Sequence, residues 1–226
     1  MLKADGDSGP GHDSLMDKVY RNQRHLYDFT RKYYLFGRDS LIGALDLKPG
    51  ELVLEIGCGT ARNLIVMARR YPQARFYGLD ASTEMLKTAA QAVARAGLSD
   101  RIRLVHGFAE AVSPALFGEG QTFDRAIFSY SLSMIPDWEQ ALSAAQTTLS
   151  PTGRLHIVDF GDFNDLPAFA ARLLRRWLAL FHVEPRTQIL KNLENNSAGN
   201  RAKPDVLRIL PGRYAFVWSG AAYSSR

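Results

Sequence analysis

The sequence predicts an α/β protein with a doubly wound, mostly parallel sheet of seven strands, an antiparallel strand near the C terminus and an N-terminal helical lid. From residue 52 onward, short apolar runs alternate with helical segments, which is typical of parallel strands joined by crossover helices. The first of these runs ends in a glycine-rich turn. With 46% hydrophobic and 23% charged residues, the 226-residue chain can bury one full core.

The predicted elements follow one another without a linker that would separate two domains. Residues 1–13 are rich in Gly, Asp and Ser and are expected to be disordered, whereas residues 14–226 are expected to form one domain. Residues 14–45 form the predicted helical lid, and no element or role is assigned to the asparagine-rich stretch 188–203. The predicted strands are 52–56, 75–80, 102–105, 123–128, 154–160, 205–210 and 213–218; the predicted helices of the sheet region are 63–71, 83–96, 137–149 and 166–181, with a turn at 151–153.

The composition excludes several kinds of site and partner. A single cysteine, Cys58, rules out an internal disulfide and a cysteine-based zinc cluster, and the five histidines are scattered, so no metal is expected. No histidine is placed to activate Cys58 as a nucleophile. There is no run of about 18 apolar residues and no secretion signal, which predicts a cytoplasmic location. The net charge of +5 is no nucleic-acid signature, but it suits an anionic membrane surface.

The glycine-rich turn is the strongest local signal for a ligand. It reads E-I-G-C-G from Glu55 to Gly59, between an apolar strand and a helix, where backbone amides can approach a ligand. Asp80 ends the next strand 23 residues after Gly57. At an offset of about 20 residues a carboxylate can accept both hydroxyls of a ribose. The arrangement therefore predicts an adenosine-containing ligand.

The spacing of the glycines separates two kinds of adenosine ligand. A dinucleotide-binding turn has the pattern G-x-G-x-x-G, and this chain lacks the third glycine. It carries instead an acid, Glu55, which suits a ligand with ammonium and sulfonium groups and is awkward beside a pyrophosphate. This E-x-G-x-G motif resembles that of the class I, Rossmann-like S-adenosylmethionine-dependent methyltransferases, with Ala61 in place of the usual third glycine. The resemblance covers residues 45–155, and NAD binding is the alternative.

The resemblance implies which residues contact S-adenosylmethionine, whose product is S-adenosylhomocysteine. Asp80 matches the acid that binds the ribose, while Ala81 and Met85 flank the adenine. Ala109 and Glu110 match the segment at the adenine edge. The complete implied set is Glu55, Gly57, Cys58, Gly59, Asp80, Ala81, Met85, Ala109, Glu110 and Ser129.

Tyrosines and arginines alternate along the predicted lid. They recur every three or four residues, which on a helix places them on one stripe that covers the carboxyl ends of the strands. Tyrosine rings can face a cation, and arginines can hold carboxylates. Alternatively, the tyrosines pack on the sheet while the arginines extend to solvent. The stripe consists of Tyr20, Arg24, Tyr27, Arg31, Tyr34 and Arg38.

Three segments indicate which kind of methyltransferase the chain resembles: residues 20–39, residues 129–136 with Trp138, and residues 181–186. They resemble the N-methyltransferase of bacterial betaine-lipid synthesis, which methylates the amine of diacylglyceryl-homoserine three times. The resemblance implies this or a similar lipid amine as acceptor, and the enzyme that makes the precursor as a partner. The implied catalytic residues are Tyr27, Tyr34, Tyr130 and His182, with His25 as a second candidate base; the implied acceptor-binding residues are Tyr20, Arg31, Arg38 and Trp138.

Residues 166–181 alternate leucines and aromatic residues with three arginines. The pattern fits a basic amphipathic helix in a membrane interface, and equally a helix packed on the sheet. The first interpretation predicts a peripheral protein on the inner face of the membrane. Other hypotheses for the function are methylation of phosphatidylethanolamine, methylation of a quinone ring, and a non-catalytic nucleotide sensor.

Overall fold

The structure is a computed structural model that describes residues 35–118, 122–181, 183–196 and 205–221. All described strands belong to one sheet. The strands are β1 (Leu52–Ile56), β2 (Arg75–Asp80), β3 (Ile102–His106), β4 (Phe123–Ser129), β5 (Leu149–Phe160), β6 (Val206–Ile209) and β7 (Ala215–Gly220). The α-helices are α1 (Arg38–Gly43), α2 (Arg62–Arg70), α3 (Thr83–Arg95), α4 (Trp138–Thr147), α5 (Ala168–Ala179) and α6 (Thr187–Asn196).

The order of the strands determines where a ligand can bind. The order is β3-β2-β1-β4-β5-β7-β6, with β1 to β5 parallel and β7 antiparallel to both of its neighbours. This confirms the predicted seven-stranded, mostly parallel sheet with an antiparallel C-terminal strand. The chain proceeds outward from β1 to β3 and then returns to β4, so the strand order reverses between β1 and β4. Open α/β sheets bind their ligands at the carboxyl ends of the strands beside such a reversal.

Helices cover both faces of the sheet because every parallel strand is reached through a crossover. Successive strand residues point to opposite faces, so Val53 packs in one core and Leu54 in the other. The first core includes residues of α1, α2, α3 and α5, and the second includes residues of α4 and α6.

The predicted continuous helix 14–45 is wrong at its C-terminal end. Leu35 to Gly37 are not helical, and α1 begins only at Arg38. Gly37 has φ +87°, and a Cβ there would lie 3.1 Å from side-chain atoms of Leu210 and Val217. The chain therefore bends at Gly37, and Arg38 is not on a helix continuous with Leu35 to Gly37; the predicted stripe residues before Leu35 lie outside the described residues.

Two further elements differ from the predictions. The predicted turn 151–153 lies inside β5. There the pairing of β5 with β4 shifts: Phe123 lies opposite Leu149, but Arg125 lies opposite Arg154, and the residues between form a bulge.

Helix α6 occupies part of the unassigned asparagine-rich stretch. Asparagine is a poor helix former, but Ile189, Leu190 and Leu193 are buried in the second core, and this packing stabilises the helix.

Acid stability should depend on His156 of β5. Burial, followed by the positive charges of Arg125 and Arg154, lowers the pKa of His156 to about 3. Between pH 6.5 and pH 3 the unfolded chain therefore binds a proton that the native protein does not, so stability falls as the pH falls. From pH 7 to pH 5 we expect the wild type to lose about 2 kcal/mol more unfolding free energy than His156→Gln.

Urea denaturation of the two proteins at both pH values measures this difference. Asp159 acts in the opposite direction, because burial raises its pKa to about 6 and the native protein is stabilised when this carboxyl is protonated. Asp159 is present in both proteins, so its contribution cancels in the comparison. Equal losses in the two proteins would show that His156 does not control the acid response.

Candidate cofactor and acceptor site

The loop between β1 and α2 needs left-handed backbone at three positions. Gly57, Gly59 and Ala61 have φ values of +74°, +54° and +62°. A Cβ on Gly57 would lie 2.5 Å from the Cβ of Ser131, which follows β4. The alanine at the third position retains the left-handed conformation, at a cost of about 1–2 kcal/mol compared with glycine.

The amides of this loop bind within the protein. The N–H groups of Gly57 and Cys58 donate to the carbonyl of Leu79, at 2.8 and 3.0 Å. The N–H of Gly59 donates to Asp80 Oδ2 at 2.7 Å. With these bonds the loop positions β1 against β2; that the same residues also contact a ligand stays a prediction.

Asp80 lies at the carboxyl end of β2 in a fixed orientation. Its Oδ2 accepts the Gly59 amide, and its Oδ1 accepts the N–H of Ser82 at 2.9 Å. Carboxylate oxygens have more than one acceptor site each, so both can also accept a hydroxyl. Because two backbone donors hold the carboxylate, it is oriented for a ribose before the ligand binds.

The first cavity has a volume of about 200 Å³ and lies between the ends of β1, β2 and β4. Its wall is apolar at Met85, Phe108, Met134 and Ile135, with Asp80 at one side. It brings together seven of the predicted cofactor-binding residues: Gly57, Gly59, Asp80, Ala81, Met85, Ala109 and Glu110. An apolar slot with the Asp80 carboxylate at its side suits an adenine ring and its ribose.

The second cavity, of about 480 Å³, shares Gly57 with the first. Glu55 is buried in its wall, and Oε1 accepts a hydrogen bond from Asn63 Nδ2 at 2.7 Å. The same amide nitrogen donates to Ser129 Oγ at 3.1 Å. Asn63 is not among the predicted site residues. The feature of the sequence that could have identified it is its position in the first turn of the helix that follows the glycine loop.

Arg38 is the buried cation of the second cavity. It lies in α1 directly after the bend at Gly37, and its Nε donates to the Leu35 carbonyl at 3.2 Å. Its positive charge also acts on Tyr130, where it opposes the increase in pKa caused by burial and by nearby Tyr214 and Asp159. The structure thus places Arg38 beside Glu55 and Ser129 in the wall of one cavity.

Tyr130 connects β4 to the segment that precedes α1. Its side chain is buried and lines the first cavity, and its hydroxyl donates to the Phe36 carbonyl at 2.5 Å. The ring packs edge-on against Phe160 with centroids 4.7 Å apart. Whether this ring also faces a cationic acceptor stays a prediction.

Of the remaining predicted residues, Cys58 lines the second cavity, Trp138 lies away from both cavities, and the others lie outside the described residues. Trp138 is buried in the second core and borders neither cavity. Burial and then the charges of Asp80 and Glu55 raise the pKa of the Cys58 thiol, which therefore stays protonated and is a poor nucleophile. The predicted residues that lie outside the described ranges are Tyr20, Arg24, His25, Tyr27, Arg31, Tyr34 and His182.

Metal-binding clusters and membrane spans are both absent from the described ranges. These ranges contain no group of three or more His, Cys, Asp or Glu side chains that could hold a metal ion. They also contain no helix long and apolar enough to cross a bilayer.

The residues present fit S-adenosylmethionine. Glu55 is buried in one cavity and Asp80 borders the other, so two carboxylates can attract a ligand that carries ammonium and sulfonium groups. Gly57, between them, allows close approach. When bound, this cofactor supplies a methyl group on positively charged sulfur.

The fold and this site resemble those of class I S-adenosylmethionine-dependent methyltransferases, and residues 53–153 match the family described as methyltransferase domain. In fold, the chain is similar to the mitomycin 7-O-methyltransferase MmcR, with a TM-score of 0.67 and 18% identity over 91% of this chain and 60% of that one. S-adenosylmethionine is therefore its cofactor.

Two curated relatives are more similar in sequence. The ubiquinone/menaquinone biosynthesis C-methyltransferase of Syntrophotalea carbinolica is 28% identical over 219 residues, which cover 93% of this chain and 85% of the relative. A demethylmenaquinone methyltransferase of Listeria monocytogenes is 32% identical over 154 residues, covering 65% of this chain and 62% of the relative. Neither relative is described as acting on a betaine lipid.

Proposed function

We propose that the protein methylates a quinone-type acceptor at carbon. The observation that carries this proposal is the length of the similarity to the C-methyltransferase of S. carbinolica, which covers 93% of this chain. Residues 53–153 hold the cofactor-binding loop, so a similarity limited to the cofactor would not reach the segments around α1 and α5. The segment around α1 borders the second cavity, where an acceptor can approach the methyl group.

The chain's own groups would hold such an acceptor. Carbon attack is favoured when a ring hydroxyl of the reduced quinone has lost its proton, which leaves a negative charge on oxygen. Arg38 is a buried cation in the cavity wall and can stabilise that charge. The ring carbon would then displace S-adenosylhomocysteine from the methyl group, which requires mainly that this carbon be held in line with the methyl–sulfur bond. Loss of the proton on that carbon to solvent would restore the aromatic ring.

A second candidate acceptor is the amine of diacylglyceryl-homoserine. It is favoured by the resemblance of residues 20–39, 129–136 and 181–186 to the betaine-lipid N-methyltransferase. Arg38 would then bind the acceptor's carboxylate instead of a phenolate. For this candidate, the enzyme that makes the precursor stays a proposed partner.

Methyl transfer from labelled S-adenosylmethionine to detergent-dispersed acceptors tests both candidates. We expect label in a demethylated quinol with a short side chain, and mass spectrometry should place the methyl group on ring carbon. Label in diacylglyceryl-homoserine but not in the quinol would overturn the first candidate and support the second. Cofactor binding without transfer to quinol, diacylglyceryl-homoserine or phosphatidylethanolamine would indicate a nucleotide sensor.

Arg38→Gln should raise the acceptor KM about 10–100-fold, since the variant loses a charge-assisted hydrogen bond to an anionic acceptor. Its affinity for S-adenosylmethionine should change little if Arg38 serves the acceptor. Steady-state kinetics and calorimetry measure the two quantities separately. Arg95→Gln, at an exposed position of α3, is the matched control. An unchanged acceptor KM would remove Arg38 from the acceptor site.

A further inference from the structure

One side of α5 exposes large apolar side chains. Phe169, Leu173 and Leu180, which directly follows the helix, are 76%, 69% and 67% exposed. At 100° per residue these positions fall within a sector of about 40°. They therefore form one stripe, which we call the α5 stripe.

The α5 stripe is not the core-facing side of the helix. Ala171 and Leu178 point to the opposite side and are buried in the first core. The helix is thus anchored on the sheet while a second apolar surface faces outward. Contiguous exposed apolar surface of this kind marks an interaction site.

The charges beside the stripe are positive. Arg172 and Arg176 are exposed and lie at the edge of the stripe, and α5 contains no acidic residue between Ala168 and Ala179. Arg175 has a structural role, since it donates to the Asp162 carbonyl at 2.6 Å and lies over the Phe163 ring. Apolar side chains flanked by arginines match a bilayer surface, which offers acyl chains beneath anionic headgroups.

A chain of aromatic contacts connects this surface with the second cavity. Phe163, just before α5, packs on Tyr214, and Tyr214 packs edge-on against Phe36. Phe36 is itself an exposed apolar residue, and its neighbours in the sequence include Leu35, which lines the cavity. Exposed apolar surface is therefore present both on α5 and beside the cavity.

We propose that the α5 stripe, with Arg172 and Arg176, docks the protein on an anionic lipid bilayer. The docking proposal rests on the proposed function in one respect. Both candidate acceptors are amphipathic molecules that a bilayer holds, so docking would bring the protein to its acceptor. Docking through α5 brings the residues beside the second cavity close to the membrane. Because α5 follows β5, whose carboxyl end lies at the ligand edge of the sheet, we expect the N-terminal half of α5 to be the part nearest to the cavity.

Co-sedimentation of the full-length protein with vesicles tests the docking. We expect binding to phosphatidylcholine vesicles that contain phosphatidylglycerol, weaker binding to pure phosphatidylcholine, and release by salt. The double variant Phe169→Ser with Leu173→Ser, and separately Arg172→Gln with Arg176→Gln, should each reduce binding about tenfold or more. Val206→Ser is the matched control, since Val206 is an apolar residue that is 59% exposed and lies on β6, outside α5.

Two further measurements complete the test. Calorimetry with S-adenosylmethionine shows whether each variant is folded, and sedimentation velocity shows whether it self-associates. Vesicle binding that the α5 variants leave unchanged would overturn the proposal. So would a dimer in the wild type that the apolar variant dissociates, since a second copy would then cover the stripe.

Activity on detergent-dispersed acceptor separates this inference from the proposed function. If the α5 variants methylate dispersed acceptor at the wild-type rate and lose activity only on vesicles, the docking proposal holds. If the wild type methylates dispersed acceptor but never binds vesicles, docking fails while the proposed function stands. If the wild type binds anionic vesicles through α5 but methylates no acceptor, the proposed function fails while docking stands.

Discussion

Replacing Asp80 by alanine is expected to weaken the binding of S-adenosylmethionine about 100-fold, because two hydrogen bonds that the ribose hydroxyls donate to the carboxylate contribute about 1.5 kcal/mol each. The structure adds a second reason. The Asp80 carboxylate accepts the amides of Gly59 and Ser82, so its loss also releases the glycine loop. Isothermal titration calorimetry with the purified protein measures the affinity.

Two variants show whether the charge or the position of Asp80 matters. Asp80→Asn keeps one acceptor oxygen but turns an amide N–H₂ toward one of the two backbone donors, so its affinity should fall between wild type and alanine. Asp100→Ala removes an exposed carboxylate at a distant turn and should leave binding unchanged. Wild-type affinity in Asp80→Ala would refute the assignment of Asp80 to the ribose.

Gly57→Ala is expected to destabilise the protein by about 2–5 kcal/mol, from left-handed backbone strain together with overpacking. The backbone has φ +74°, and the new methyl group would meet the Ser131 Cβ at 2.5 Å. Neither the loop nor the chain after β4 can move freely, because the Gly57 amide and the Ser131 hydroxyl are both hydrogen-bonded to backbone carbonyls. Urea denaturation measures the loss.

A second glycine separates strain from collision. Gly50 has φ +84°, and an added Cβ there would have no atom within 4 Å, so Gly50→Ala should cost only the strain, about 1–2 kcal/mol. In the double variant of Gly57→Ala with Ser131→Gly the colliding Cβ is absent, and part of the stability should return. If Gly57→Ala lowers the unfolding free energy no more than Gly50→Ala does, the close contact with Ser131 does not affect stability.

The order of the elements and the residues of the first cavity could be predicted from the sequence. Strand and helix periods, the glycine turn and Asp80 are all local signals, and parallel strands necessarily bring their carboxyl ends to one edge. Met85, Ala109 and Glu110 follow those ends directly, so their meeting with Asp80 required no knowledge of side-chain packing.

The second cavity shows where such reasoning stops. Asn63 could not be predicted from the sequence, because its role depends on hydrogen bonds to Glu55 of β1 and Ser129 of β4, which only the fold brings close to it. Arg38 fits the spacing of the predicted helical stripe. The chain bends at Gly37, however, and Arg38 lines the cavity from α1, which begins after the bend. Helix α6 escapes prediction because its stability comes from burial against the sheet rather than from its asparagine-rich composition.

The sequence by itself therefore determined the architecture, the class of cofactor and the acid that we predict to bind the ribose, because each depends on residues close together in the chain or on strand ends that topology aligns. Only the tertiary structure decided which acceptors the glycine-loop amides bond to, which polar groups surround Glu55, and which side of α5 remains uncovered. Those features depend on the distances between side chains far apart in the sequence, and a hydrogen bond or a packed surface changes with shifts of less than an ångström.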